Sequence, residues 1–111
     1  MNVLVIFSSS SGRTEKLALA AAVGAVQARA NIRLRRLPDD SAESGADLAR
    51  MRREYVPPTQ ADTLWADAII VGQNGRIGGG FDNVDDATTY GRSIALSLRE
   101  RALEFGHLET S

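Results

Sequence analysis

The segment Val3–Phe7, VLVIF, followed at once by four serines and a glycine and then by a helix-like run, constrains this chain more than any other feature. It is apolar at every position and rich in β-branched residues, which suits a parallel strand covered on both faces rather than a half-exposed one. Thr14–Ala28 then sets Leu17, Ala20, Ala21, Val23, Gly24 and Ala28 close to a helical period, with small residues that allow close approach to a sheet. A central strand that passes through a hydroxyl-rich turn into a helix points to the α/β class.

The rest of the chain continues the alternation. Asn31–Leu37, NIRLRRL, interleaves Ile32, Leu34 and Leu37 imperfectly with arginines, as an edge strand exposed on one side does. The polar PDDSAESGAD reads as loop, Ala46–Tyr55 as a short helix, and VPPTQADTLW as a Pro-Pro break with room for one further turn. Trp65–Gly72 contains a second buried strand, DAIIVG. Gln73–Asn83, QNGRIGGGFDN, holds five glycines when the adjoining Gly72 is counted, and reads as loop. Val84–Phe105 reads as one long helix with an Asp85–Asp86 start, apolar or small residues at Ala87, Ile94, Ala95, Leu98, Ala102 and Phe105, and Gly106 as its stop. The tail HLETS is expected to fray. Strand, helix, strand, helix, strand on 111 residues fits one domain over residues 1–111.

Charge and composition narrow the function. Thirteen basic against fourteen acidic residues give a net charge of -1, so there is no global electrostatic case for nucleic acid or an anionic membrane. An anion must be bound locally. The chain has no cysteine, which excludes disulfides, thiolate metal sites and cysteine nucleophiles and fits a cytoplasmic protein. The longest apolar runs are too short to span a bilayer, and no basic segment precedes a longer apolar one as in a signal peptide.

The serine loop has two readings. A strand that ends in a turn and enters a helix directs the helix's free N–H groups and the positive end of its dipole toward the carboxyl edge of the sheet, where phosphate binds readily. Ser8–Thr14 adds hydroxyl donors, Gly12 permits a tight turn, and the lack of a lysine separates the loop from the GxxxxGK[ST] nucleotide loop. The alternative is that one serine or threonine merely caps the helix.

These residues resemble a known family. SSSGRT, Ser9 to Thr14, resembles the T/S-x-T/S-G-x-T loop by which flavodoxins hold the FMN phosphate. VLVIFSSSSGRTEKLALAAAVGA is similar to the opening of the WrbA-type NAD(P)H:quinone oxidoreductases, ADAIIVGQNGRIGG to their third strand and flavin loop, and NVDDATTYGRSIALSLRERA, with its Gly91–Arg92 pair, to their terminal helix. The resemblance implies a flavodoxin-like three-layer α/β/α fold with a shortened parallel sheet in the order 2-1-3, lacking the family's fourth and fifth strands. It implies hydroxyl donors to the FMN phosphate at Ser9, Ser11 and Thr14 and backbone donors at Ser10, Gly12 and Arg13. It also implies a flavin loop at Asn74, Gly75, Arg76, Ile77 and Gly78. In that loop Gln73-Asn74-Gly75 stands where the family has Thr-Pro-Thr, and Ile77 where it has an aromatic residue. Those glycines equally suit a permissive connector.

Other polar residues have simpler readings. His107 lies beyond the expected helix end and receives no role. Arg33, Arg35, Arg36, Arg50, Arg52 and Arg53 suit a solvated face or a charge-guarded edge. Asp39, Asp40, Asp85 and Asp86 lie in a polar loop or a helix's first turn, where carboxylates are ordinary, so no metal site is expected. Trp65 suits the core or an interface, and Trp65 and Tyr90 are the aromatic residues that could stack on a flavin.

Two functions follow. By resemblance the chain is an FMN-binding oxidoreductase that passes hydride from NAD(P)H through flavin to a quinone, with no catalytic acid or base assigned because the cofactor carries that chemistry. The competing reading is a non-catalytic interaction module that keeps the phosphate loop without the flavin pocket. A phosphatase of similar topology would need a cysteine, and a receiver an acidic residue where Val71–Gly72 stands. In the 2-1-3 order DAIIVG is an edge strand with a central strand's composition, which predicts a homodimer, joined antiparallel through it, or a higher homo-oligomer, the alternative being a monomer whose glycine loop and terminal helix fold back over that edge.

Overall fold

The computed structural model describes residues 1–8, 12–38 and 46–110. Four strands form one mixed sheet in the order β2-β1-β3-β4, with β1 at Asn2–Phe7, β2 at Asn31–Arg36, β3 at Ala68–Gln73 and β4 at Arg76–Ile77. β1 pairs in parallel with both β2 and β3, whereas β4 returns antiparallel to β3. The three parallel strands thus take the flavodoxin-like 2-1-3 order. The helices are α1 at Arg13–Gln27, α2 at Ala46–Glu54, α3 at Gln60–Trp65 and α4 at Val84–Thr110.

Register explains which residues form the core. Val3, Val5 and Phe7 stand beside Ile32, Leu34 and Arg36 on β2 and beside Ala68, Ile70 and Gly72 on β3. Laterally paired residues of a pleated sheet share a face, so these make one surface. Val3, Val5, Phe7 and Ile70 are fully buried there, in one cluster with Leu17, Ala18 and Ala21 of α1, Met51 of α2, and Ala87 and Ala95 of α4. The cluster runs through all three parts because α1 and α4 pack side by side over the sheet.

The small residues of α1 serve this helix pair as well as the sheet. A Cβ added to Gly24 would lie 2.9 Å from the Thr88 carbonyl carbon and 2.9 Å from the Arg92 nitrogen, and one on Gly91 would lie 2.7 Å from the Ala21 carbonyl carbon. Backbone therefore approaches backbone at both glycines. At the edge of this contact Arg92 Nε donates to Gln27 Oε1 at 3.2 Å.

The opposite face is covered unevenly. α3 is started by a capping box in which Thr59 Oγ1 accepts from the Asp62 N–H and Asp62 accepts from the Thr59 N–H. Its Asp62 binds Arg33 at 3.1 Å and Arg35 at 3.0 Å, and the Arg33 guanidinium lies 4.3 Å from the Trp65 ring centre. Leu4 is fully buried on this face. Beyond α3's reach, Ile69 and Val71 of β3 remain 45% and 47% exposed.

Several expectations are corrected in detail. Gln73–Asn83 is not wholly loop, because Asn74 (φ 54°) and Gly75 (φ 72°) form a two-residue turn with both central residues left-handed, the combination that matches strand twist in a hairpin. β4 is the product. DAIIVG is not buried throughout, since β3 alternates between a buried and an open face. Arg33 and Arg35 are ion-paired rather than simply solvated. α4 continues through Gly106 and His107 to Thr110 rather than stopping at Phe105. Asp85 and Asp86 do lie in its first turn, where Asn83 Oδ1 accepts from the Asp86 N–H at 2.9 Å. Ser9, Ser10, Ser11, Asp39 and Asp40 lie outside the described residues.

Candidate functional site

The carboxyl ends of β1 and β3 are adjacent in the sheet, so the segments that follow them meet on one rim. The Ser8 N–H donates to the Gly72 carbonyl at 3.0 Å, continuing the parallel ladder one step past β1. Beyond it α1 starts with Gly12 as its N-cap, at φ 85°. The cap residue has no side chain, so its own hydroxyl does not close the helix end, and a left-handed φ is one that glycine adopts at no steric cost.

The next residues bind the two loops together. Thr14, 3% exposed, accepts at Oγ1 from the Gly75 N–H at 2.8 Å. The acceptor leaves the hydroxyl proton of Thr14 available to a second partner, since a hydroxyl both accepts and donates. Above the same glycine runs the exposed side chain of Arg13, whose Nε would stand 3.1 Å from a Cβ at Gly75. Gly72 faces the methyl of Thr14 and the tip of Ile77. Glycine at 72 and 75 is thus what lets the α1 start and the β3–β4 hairpin close on each other.

Of the expected flavin-loop residues, Asn74 and Arg76 line a hollow of about 510 Å³ together with Val71, Gln73 and Gly79. This volume lies in the ordinary range for a small-molecule site. Gly75 is buried beneath Arg13, and Ile77 is fully buried in the core on the far side of the hairpin. Gly78, at φ 63°, would put a Cβ 2.8 Å from the Tyr90 Cδ1, so the tyrosine ring lies directly against the backbone there. Tyr90 in turn packs on Phe81 with ring centres 5.0 Å apart. It braces the hairpin's return, while Trp65 is engaged with Arg33.

Sequence reasoning missed a buried charged cluster at the first turn of α1. Glu15, 5% exposed, accepts at Oε1 from Arg50 Nη2 at 2.6 Å and at Oε2 from Arg50 Nη1 at 2.9 Å and from the Tyr55 hydroxyl at 2.6 Å. The Arg50 bonds hold its carboxyl below the usual glutamate range against the opposing effect of burial, with Tyr55 adding to them. Burial, and then the bond to Glu15, push the Tyr55 hydroxyl up. The tyrosine ring meets Phe7 edge-on at 5.0 Å. Nothing local in the sequence pairs Glu15 with a residue 35 positions away.

No protein-family model matches the chain. Over 78 residues it is 40% identical to an NAD(P)H dehydrogenase (quinone) of Paraburkholderia phymatum, a match covering 68% of this chain and 39% of that protein. An NAD(P)H dehydrogenase (quinone) of Paracoccus denitrificans is 37% identical over 79 residues, covering 69% and 38%. One of Azorhizobium caulinodans is 37% identical over 78 residues, covering 68% and 39%. The chain spans about two fifths of the length of the curated relatives it matches. These identities, together with the 2-1-3 parallel order, make the chain a relative of the WrbA-type NAD(P)H:quinone oxidoreductases.

Proposed function

We propose that the chain binds FMN and takes part in NAD(P)H-dependent quinone reduction. The observation that supports this reading is the bond from the Gly75 N–H to Thr14, which ties the start of α1 to the β3–β4 hairpin beside the hollow. Residues on the page suit such a ligand. Gly12, Arg13 and Thr14 open a helix at that rim, as a phosphate group requires, and Ser9, Ser10 and Ser11 are the hydroxyl and backbone donors we propose beside them. Asn74, Gly75, Arg76, Ile77 and Gly78 form the hairpin beside which the ring would lie.

Bound flavin would supply the hydride chemistry between a nicotinamide and a quinone. The chain's own part is positional. Arg13 and Arg76 are exposed cations at the rim, Thr14 has a hydroxyl proton to give, and the rigid Asn74–Gly75 turn sets one wall. The setting proposed is the cytoplasm, with which a chain that has no cysteine to form a disulfide is compatible.

Assembly is part of the same proposal. β4 pairs with β3 at Gly72 and Gln73 and the Gly78 N–H donates to the Val71 carbonyl at 3.0 Å, while Ile69 and Val71 stay half-exposed on the open face. A second copy joined antiparallel along that edge would pair its main chain and cover both side chains. Sedimentation at low micromolar concentration tests this, and a folded, strictly monomeric protein would remove it.

Titration with FMN, followed by flavin absorption and fluorescence, tests the ligand. Saturable binding by the wild type, and a larger loss of affinity for FMN than for riboflavin when Thr14 and Ser11 are replaced by alanine, is the expected result. A protein that stays colourless with excess FMN refutes the oxidoreductase reading and leaves the non-catalytic module.

A further inference from the structure

The sheet ends at β2, whose outer edge carries main-chain groups that no strand takes up among the described residues. The Asn31 and Leu37 N–H groups donate inward, to the Met1 and Phe7 carbonyls, at 2.8 Å each. Backbone groups alternate in direction along a strand, so the N–H groups of Ile32, Leu34 and Arg36 face outward. Arg36 donates there to the Val56 carbonyl at 3.1 Å, and the Leu34 carbonyl accepts from Arg35 Nη1 at 3.1 Å. The stretch left open is residues 32–34.

The two faces of that stretch differ in kind. On one, Ile32 and Leu34 border a hollow of about 290 Å³ completed by Leu19, Ala22, Val23 and Val26 of α1, apolar but for Gln27. Leu19, Val23 and Val26 are left about half-exposed there. On the other face Arg33 and Arg35 share the one carboxylate of Asp62, so two guanidinium groups meet a single anion and a positive charge is left in excess. Arginines on an edge ordinarily keep other strands away. Here the ion pairs draw them back toward α3, and the surplus charge selects which strand can join. A second β2 would bring its own arginines against them, whereas a strand with carboxylates at those positions is attracted.

We infer that the outer edge of β2 docks an extended segment of a partner protein in which apolar and acidic side chains alternate. Its main chain pairs with Ile32 and Leu34, its apolar side chains enter the hollow beside α1, and its carboxylates meet Arg33 and Arg35. The site lies at the opposite end of the sheet from the β3–β4 hairpin, so it stands independently of the flavin proposal.

The full chain at neutral pH is titrated with a synthetic peptide of alternating glutamate and valine, blocked at both ends, while main-chain amide resonances are followed. The expected result is a saturable shift centred on Ile32 and Leu34, with slower hydrogen exchange at both amides. Replacing the glutamates of the peptide by lysines should weaken binding by about tenfold, the scale of two cross-strand charge pairs turned from attraction to repulsion. Val26→Lys, which sets a charge in the hollow at a half-exposed position, should weaken the glutamate peptide by a similar factor. No shift, shifts confined to β3 and β4, equal binding of the two peptides, or full affinity in Val26→Lys overturns the inference. So do concentration-dependent shifts of Ile32 and Leu34 in the protein alone, which would give the edge to a second copy. If Val26→Lys fails to fold, the two peptides on the wild type decide.

Discussion

Replacing Gly24 by alanine should destabilise the protein, although the rule for an isolated helix predicts the reverse. Within a helix, alanine is favoured over glycine by about 1 kcal/mol because it loses less backbone entropy on ordering. Here the new methyl would overlap the Thr88 carbonyl oxygen and lie 2.9 Å from both the Thr88 carbonyl carbon and the Arg92 nitrogen, against a carbon contact optimum of about 3.5–4.0 Å. Both obstacles are α4 backbone, which cannot swing aside as a side chain tip would. Relief therefore requires α1 and α4 to part by more than about 1 Å along the contact that buries Ala21, Ala87 and Ala95. Overpacking of this kind costs about 1–3 kcal/mol, and the upper end applies where backbone must move. Subtracting the propensity gain leaves a net loss of about 2 kcal/mol, or a Tm lower by about 10 °C for a chain of this size. Thermal unfolding followed by far-UV circular dichroism reads this directly. Gly91→Ala, whose methyl would meet the Ala21 carbonyl, should behave alike, and the double variant should lose less than the sum because one separation relieves both. A Gly24→Ala protein with unchanged or higher Tm would falsify the claim that these helices meet through their backbones.

Three further predictions concern the charged and hydroxyl groups. Arg35 foremost, then the Thr59 backbone, depress the Asp62 carboxyl to about 2 from its ordinary 3.8, so its contribution is present above about pH 4 and vanishes as pH falls through about 2. Asp62→Asn should flatten that part of a plot of Tm against pH, and an unaltered acid limb would show that the ion pairs do not govern it. Thr14→Ala leaves the Gly75 N–H buried without its acceptor and should cost about 1–3 kcal/mol in urea unfolding, with Thr14→Ser recovering most of it. Gly75→Ala must hold a left-handed φ and press on Arg13, so a loss of about 1–2 kcal/mol is expected, and none would mean that the hairpin turn is not as described.

The main elements could be read from sequence because each is declared within a few residues. The apolar VLVIF, the small-residue period of α1 and the acidic start of α4 are local signals, and the strand order came with the family resemblance. The hairpin was also legible, since Asn74-Gly75 between two extended residues is a strong local turn signal. Five glycines in that stretch obscured it. Gly106, a reasonable helix stop by composition, proved to lie inside α4. A helix already started and packed along most of its length adds each further residue at little cost.

What the sequence determined by itself is therefore the three parallel strands, the helices that follow them and the loop at the carboxyl end of β1. Tertiary structure decided what each face meets. The run DAIIVG is uniformly apolar, yet burial divides it, because α1 and α4 cover Ile70 while nothing among the described residues fully covers Ile69 and Val71. Periodicity names a face but not its neighbour. In the same way, Glu15 with Arg50 and Tyr55, and Asp62 with Arg33 and Arg35, are pairings across 27 to 40 positions. Each depends on strand register and on the path from β2 to β3, so no spacing in the sequence marks it. The charges were legible as residues, and their partners existed only once the chain had folded.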